Sequence, residues 1–118
     1  ASYSADELAE LAEVCRRYAV VVLADEIYSM TTFTPDSLAS LSQYYPEGTI
    51  VLGGASKYLG AGGWRVGYLS FPKELEWLRK GIAVAASETY TTVSAPMQYA
   101  AIPGFSPSEE LDDYLAAK

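Results

Sequence analysis

The chain has 118 residues, half of them apolar, a formal charge of −7 and no histidine. That length and apolar share fit one modest core or part of one, and the acidic balance argues against nucleic acid or an anionic membrane surface as partner. The lone Cys15 excludes an internal disulfide framework, and without histidine the usual zinc ligand sets cannot be assembled, so no metal site is expected.

Ser4-Ala5-Asp6-Glu7 reads as a capping box opening a helix. Leu8, Leu11, Cys15 and Tyr18 recur at helical spacing as its apolar face, with Glu10, Arg16 and Arg17 toward water. Cys15 is expected to be a small buried side chain. The first residues show no basic region followed by an apolar run, as a secretory leader would. Ala19 to Ala24 is continuous and β-branched, the pattern of a strand covered on both faces, and is far too short to cross a bilayer. Thr31 to Gly48 is a polar connection, with turns at Pro35-Asp36 and Pro46-Glu47-Gly48 and a short helix around Leu38 to Tyr44. A second buried strand follows at Thr49 to Leu52.

Gly60-Ala61-Gly62-Gly63 breaks regularity before a third strand, Val66 to Phe71. Pro72 then leads into a helix over Lys73 to Val84, with Leu75, Leu78 and Ile82 on one face. Another helical run starts at Ser94-Ala95-Pro96 and ends at Pro103-Gly104, and a last helix begins at Ser108-Glu109-Glu110. The expected fold is α/β, a mostly parallel sheet flanked by helices, with no linker dividing the chain.

Open α/β sheets bind ligands at the carboxyl ends of their strands. Asp25 and Tyr28 follow the first strand and Ser56-Lys57 the second, so all should emerge on one edge. Taken singly, each has a bland reading: an acidic turn with a half-buried phenol, or a solvated lysine. A lysine in a partly desolvated, positively charged site can lose its proton and attack a carbonyl carbon. Arg65 offers a fork of donors suited to a phosphate. The glycine run matches neither the dinucleotide-binding nor the P-loop pattern.

Asp25-Glu26-Ile27-Tyr28, Ser56-Lys57 and Gly63-Trp64-Arg65-Val66-Gly67-Tyr68, in this order and spacing, resemble the large domain of class I/II aminotransferases, the fold type I enzymes dependent on pyridoxal 5'-phosphate. The similarity runs from the Ser4 helix through the segment Ser94 to Tyr99. It implies that Lys57 forms the Schiff base with the cofactor and then carries a proton between the substrate α carbon and the cofactor. It implies that Asp25 pairs with the pyridine nitrogen, Tyr28 bonds the ring hydroxyl, and Arg65 binds the phosphate, with Ser56 assisting. Many relatives have serine three positions before the lysine, where this chain has Gly54. Tyr90 to Ser94 is either a loop or a segment reaching a partner subunit's site.

The resemblance further implies a partial cofactor-binding large domain over residues 1–118, incomplete at both ends, from a cytoplasmic homodimer. Its parent would exchange an amino group between an amino acid and a 2-oxo acid, with a dicarboxylic or aromatic donor favoured and 2-oxoglutarate as acceptor. The chain by itself is expected to be inactive, with open strand edges and apolar faces. Two other readings remain open at this point: a lyase or synthase using the same machinery, and a noncatalytic α/β interaction module.

Overall fold

The computed structural model describes residues 3–31 and 39–117. The capping box forms as its residue types dictate: the Ser4 hydroxyl accepts from the Glu7 amide at 3.3 Å, and the Glu7 carboxylate accepts from the Ser4 amide at 2.8 Å. The helix it opens, α1, spans Ala5–Arg17. Its buried face is Leu8, Ala12 and Cys15, spaced four and three apart; Leu11 is partly exposed and Tyr18 is 70% exposed. The apolar stripe is thus rotated from the expected one, with Ala12 in it and Tyr18 outside. Cys15 is buried, as its small size and position suggest.

The expected first strand starts late because the helix uses its first residues to stop. Ala19 takes a left-handed φ of 50°. Its amide donates to Arg16 O at 3.2 Å and that of Val20 to Cys15 O at 2.9 Å, the paired bonds of a Schellman ending. Strand β1 is therefore Val22–Asp25. It is not covered on both faces: Val22 packs against the α1 cluster, whereas Leu23, pointing the other way, is 62% exposed.

That cluster joins Leu8, Ala12 and Cys15 to Leu41 and Tyr45. Arg16 does not simply face water. Its guanidinium donates to Glu47 at 2.7 Å, Glu13 at 2.8 Å and Tyr44 O at 2.7 Å, and stands 5.2 Å from the Tyr45 ring centroid. The hydrogen bond to Glu47 chiefly raises the Arg16 pKa and lowers that of Glu47. Among the described residues of the expected helix around Leu38 to Tyr44, Leu41–Gln43 form a single 3-10 turn; Leu38 and the Pro35-Asp36 turn lie outside the described residues.

Strand β2, Thr49–Gly54, holds Ile50, which is fully buried. It pairs in parallel with β1, Asp25 opposite Leu52, and antiparallel with β3, Gly67–Ser70, Gly54 opposite Gly67. The sheet order is β1-β2-β3, and the fold is α/β. After a 3-10 turn at Lys73–Leu75, helix α2 runs over Glu76–Thr89, beginning and ending later than its apolar spacing suggests. Helix α3 is Ala95–Ala101, with Pro96 in its first turn. A 3-10 turn carries the chain through Pro103-Gly104 to Phe105, and α4 is Glu109–Ala116, capped by the Ser108 hydroxyl.

The body measures 41 × 40 × 21 Å, a plate, and its radius of gyration is 15.8 Å. A closed domain of about 100 residues would have a radius of about 13 Å. The plate leaves Val20, Leu23, Trp77, Val84, Tyr90 and Tyr99 exposed, the open apolar faces expected from the sequence.

Candidate active site

Strand direction decides where the functional side chains meet. Parallel pairing brings the carboxyl ends of β1 and β2 together, and β3, running back, begins at that same edge. Asp25 ends β1, Ser56-Lys57 follow β2, and Arg65 precedes β3, so the three motifs reach one edge from three strands.

Beyond β1, Glu26 N–H donates to Leu52 O at 3.0 Å, extending the ladder by one bond. The Asp25 carboxylate accepts from the Ile27 amide at 3.2 Å, an Asx turn that bends the chain away from the sheet. The 3-10 turn Ser29–Thr31 follows. This reversal returns Tyr28 to the edge, where its ring centroid lies 5.3 Å from Lys57 Nζ. At that distance an ammonium and a phenol ring attract through the ring quadrupole.

The Lys57 turn is closed by its own backbone. Ala55 N–H donates to Val66 O at 3.0 Å, Ala61 N–H to Ala55 O at 3.3 Å, and Gly60 N–H to Lys57 O at 3.2 Å. Lys57 is exposed. Gly54 explains the missing serine. A β-carbon there would lie 2.8 Å from Val66 O and 3.0 Å from Gly67 Cα, so any side chain would force β2 and β3 apart. Arg65 has a left-handed backbone, φ 55° and ψ 39°, and one guanidinium nitrogen donates to Gly62 O at 3.0 Å.

Asp25, Ser56, Lys57 and Arg65 all line one open cleft of 1190 Å³. Tyr28 stands beside Lys57 but is not among the lining residues. Trp64 and Tyr68 also line the cleft, and so does α2 through Ile82, Ala83 and Ala86. The apolar spacing of α2 was the only sequence signal for that wall. Tyr90, Thr92, Val93 and Ser94 line this chain's own cleft. Arg79 lines it too, but its fork is bidentate on Glu76 at 2.6 and 2.6 Å; that bond raises the Arg79 pKa and lowers that of Glu76. Among the described residues no group of His, Cys, Asp and Glu is placed to hold a metal ion, and no helix is long and apolar enough to cross a membrane.

The family model for aminotransferase class I and II matches residues 1–118. The chain belongs to that family. It is 34% identical to an aspartate aminotransferase of Geobacillus stearothermophilus over 92% of its own length and 28% of the relative's. It is 32% identical to one of Bacillus subtilis over 98% of its length and 30% of the relative's. Among solved structures, Thermus thermophilus aspartate aminotransferase with maleate superposes with a TM-score of 0.87 at 26% identity, covering 98% of this chain and 29% of that one. The chain therefore spans under a third of these relatives. Members of the family depend on pyridoxal 5'-phosphate.

The residues present fit that group. A carboxylate, a lysine amine and a guanidinium beside glycines converge on one cleft, and these are the partners a protonated pyridine nitrogen, an aldehyde and a phosphate require.

Proposed function

We propose that the protein carrying this chain is a pyridoxal-phosphate-dependent aminotransferase, moving an amino group between an amino acid and a 2-oxo acid. The observation that carries this reading is the meeting of Asp25, Lys57 and Arg65 in one cleft at the carboxyl edge of the sheet. Bound pyridoxal phosphate supplies an electron-withdrawing ring that acidifies the substrate's α hydrogen.

Lys57 is the amine that would attach the cofactor; once displaced by substrate, its free amine would carry the proton from the substrate α carbon to the cofactor's former aldehyde carbon. The Asp25 carboxylate, held by the Ile27 amide, would pair with the ring nitrogen and favour its protonated, electron-withdrawing form. The Tyr28 phenol, whose ring stands 5.3 Å from Lys57 Nζ, would bond the ring hydroxyl. Arg65 anchors the phosphate with fork donors, and Ser56 adds a hydroxyl.

Residues 1–118 form part of the cofactor-binding large domain. The aspartate aminotransferases among the relatives support a dicarboxylic donor, with 2-oxoglutarate as acceptor. We place the protein in the cytoplasm as a homodimer, which fractionation and light scattering test directly. For the chemistry, the protein from its complete reading frame is incubated with pyridoxal phosphate, reduced with borohydride and mapped by peptide mass spectrometry. The label is expected on Lys57, and aspartate is expected to convert the cofactor to its amine form. Label elsewhere refutes the lysine assignment; a labelled protein whose cofactor no amino donor converts refutes transamination.

A further inference from the structure

Tyr58, the residue after the cofactor lysine, points away from the cleft and is buried to 7% exposure. Its hydroxyl donates to Gly104 O at 2.8 Å, in the 3-10 corner between α3 and α4. Its ring meets Phe105 of the same corner edge to face, with centroids 5.9 Å apart. Leu59 packs on Gly104 so closely that a β-carbon there would overlap the leucine side chain. From α4, Tyr114 reaches over Gly60, where a β-carbon would stand 3.3 Å from the tyrosine hydroxyl. Tyr68, in the cleft wall, meets Phe105 at 5.6 Å and an interplanar angle of 81°. One corner thus grips the Lys57 turn from behind and the cleft wall from the side.

We propose that Tyr58 is a positioning residue for Lys57: its hydroxyl ties the Lys57 turn to the Gly104 corner and so fixes the root of the reactive side chain. This rests on the assignment of Lys57 to the cofactor. A lysine stem has four rotatable bonds, so the place of its amine is only as well defined as its backbone. A displacement of about 1 Å at a reacting group can cost about a hundredfold in rate. The backbone bonds within the turn join Ala55, Lys57, Gly60 and Ala61 to one another and to Val66, whereas the Tyr58 hydroxyl reaches 46 positions along the chain.

The test uses the protein from its complete reading frame, free of cofactor, as wild type, Tyr58→Phe and Leu8→Ala. Tyr58→Phe keeps the ring on Phe105 and removes only the donor. Leu8→Ala weakens the core around α1 and serves as the control for general loss of stability. Two quantities are read: hydrogen exchange of the Gly60 and Ala61 amides, and the rate at which pyridoxal phosphate, trapped with borohydride, labels Lys57. In Tyr58→Phe the two amides are expected to exchange roughly fivefold faster, as for loss of one neutral hydrogen bond. Labelling of Lys57 is expected to slow by about threefold or more, the scale of a small misplacement. Leu8→Ala is expected to leave both at wild-type values. Wild-type exchange and labelling in Tyr58→Phe, or equal changes in Leu8→Ala, overturn the positioning role alone. No label on Lys57 in the wild type overturns the cofactor assignment and this inference together.

Discussion

Replacing Arg65 by glycine should separate stability from cofactor binding. Arg65 holds φ 55° in a segment where glycines stand at 60, 62, 63 and 67. A left-handed backbone costs a residue with a β-carbon about 1–2 kcal/mol, which Arg65→Gly removes. Against that, glycine widens the unfolded ensemble by about 0.4–1 kcal/mol. The exposed bond from the guanidinium to Gly62 O, worth about 0.5–1 kcal/mol, is also lost. The net change in folding stability is therefore within about 1 kcal/mol of zero. Cofactor affinity should move much further. Loss of one charge-assisted bond to phosphate costs about 1.5–3 kcal/mol, or roughly 10- to 150-fold in Kd. Arg65→Lys keeps the charge and the left-handed backbone but loses the fork, so its affinity should fall between the two. Urea unfolding of the cofactor-free protein gives the first quantity, and titration followed by cofactor absorbance the second. Destabilisation of Arg65→Gly by several kcal/mol would refute the strain reasoning. Unchanged cofactor affinity would refute the phosphate assignment, whatever the stability shows.

Asp25→Asn keeps an oxygen for the Ile27 amide, so unfolding should change by less than about 0.5 kcal/mol, while steady-state transamination should fall about 10²- to 10³-fold with loss of the negative charge. Wild-type turnover in this variant would remove Asp25 from the site. Ile50→Ala opens a cavity at a fully buried position and should cost about 2–5 kcal/mol by chemical denaturation; a much smaller loss would mean that β2 is not at the centre of the packing. Burial, with the neighbouring Tyr68 adding, pushes the Tyr58 hydroxyl up to about 12, against about 10 in an unfolded chain. The native state then holds this proton more tightly, so the contribution is fully present below pH ~10 and is lost as pH rises from ~10 through ~12. Urea midpoints across that window should fall more steeply for wild type than for Tyr58→Phe, and parallel slopes would contradict the raised pKa.

How much of this was legible in sequence depends on the range of each interaction. The capping box and the turn after Asp25 are closed by residues two or three apart, and both follow from residue type. The shared edge of Asp25 and Lys57 followed from two apolar runs and the rule for open sheets. The start of β1 was misplaced because nothing in Ala19-Val20-Val21 signals a Schellman ending; alanine occupies the left-handed position where glycine is usual. The rotated face of α1 and the engagement of Arg16 depend on Tyr44, Tyr45 and Glu47, roughly 30 positions away. The hold of Gly104 and Phe105 on the Lys57 turn is longer in range still and leaves no local pattern.

The glycines around the cleft show how backbone space and side-chain chemistry are divided. At Gly54 the strands approach too closely for a β-carbon, so a phosphate-binding hydroxyl cannot be placed there without separating β2 from β3. At Gly53, Tyr68 lies across the backbone from the facing position of β3, and any side chain would displace its ring from the cleft wall. At residue 65 the opposite choice holds: glycine would suit the left-handed backbone, yet arginine is present and bears the strain. A costly backbone is retained where the structure over-determines it, and such positions cluster at functional sites. The same edge thus omits side chains where the sheet needs room and keeps one, at a conformational cost, at Arg65, where we propose that the phosphate is held.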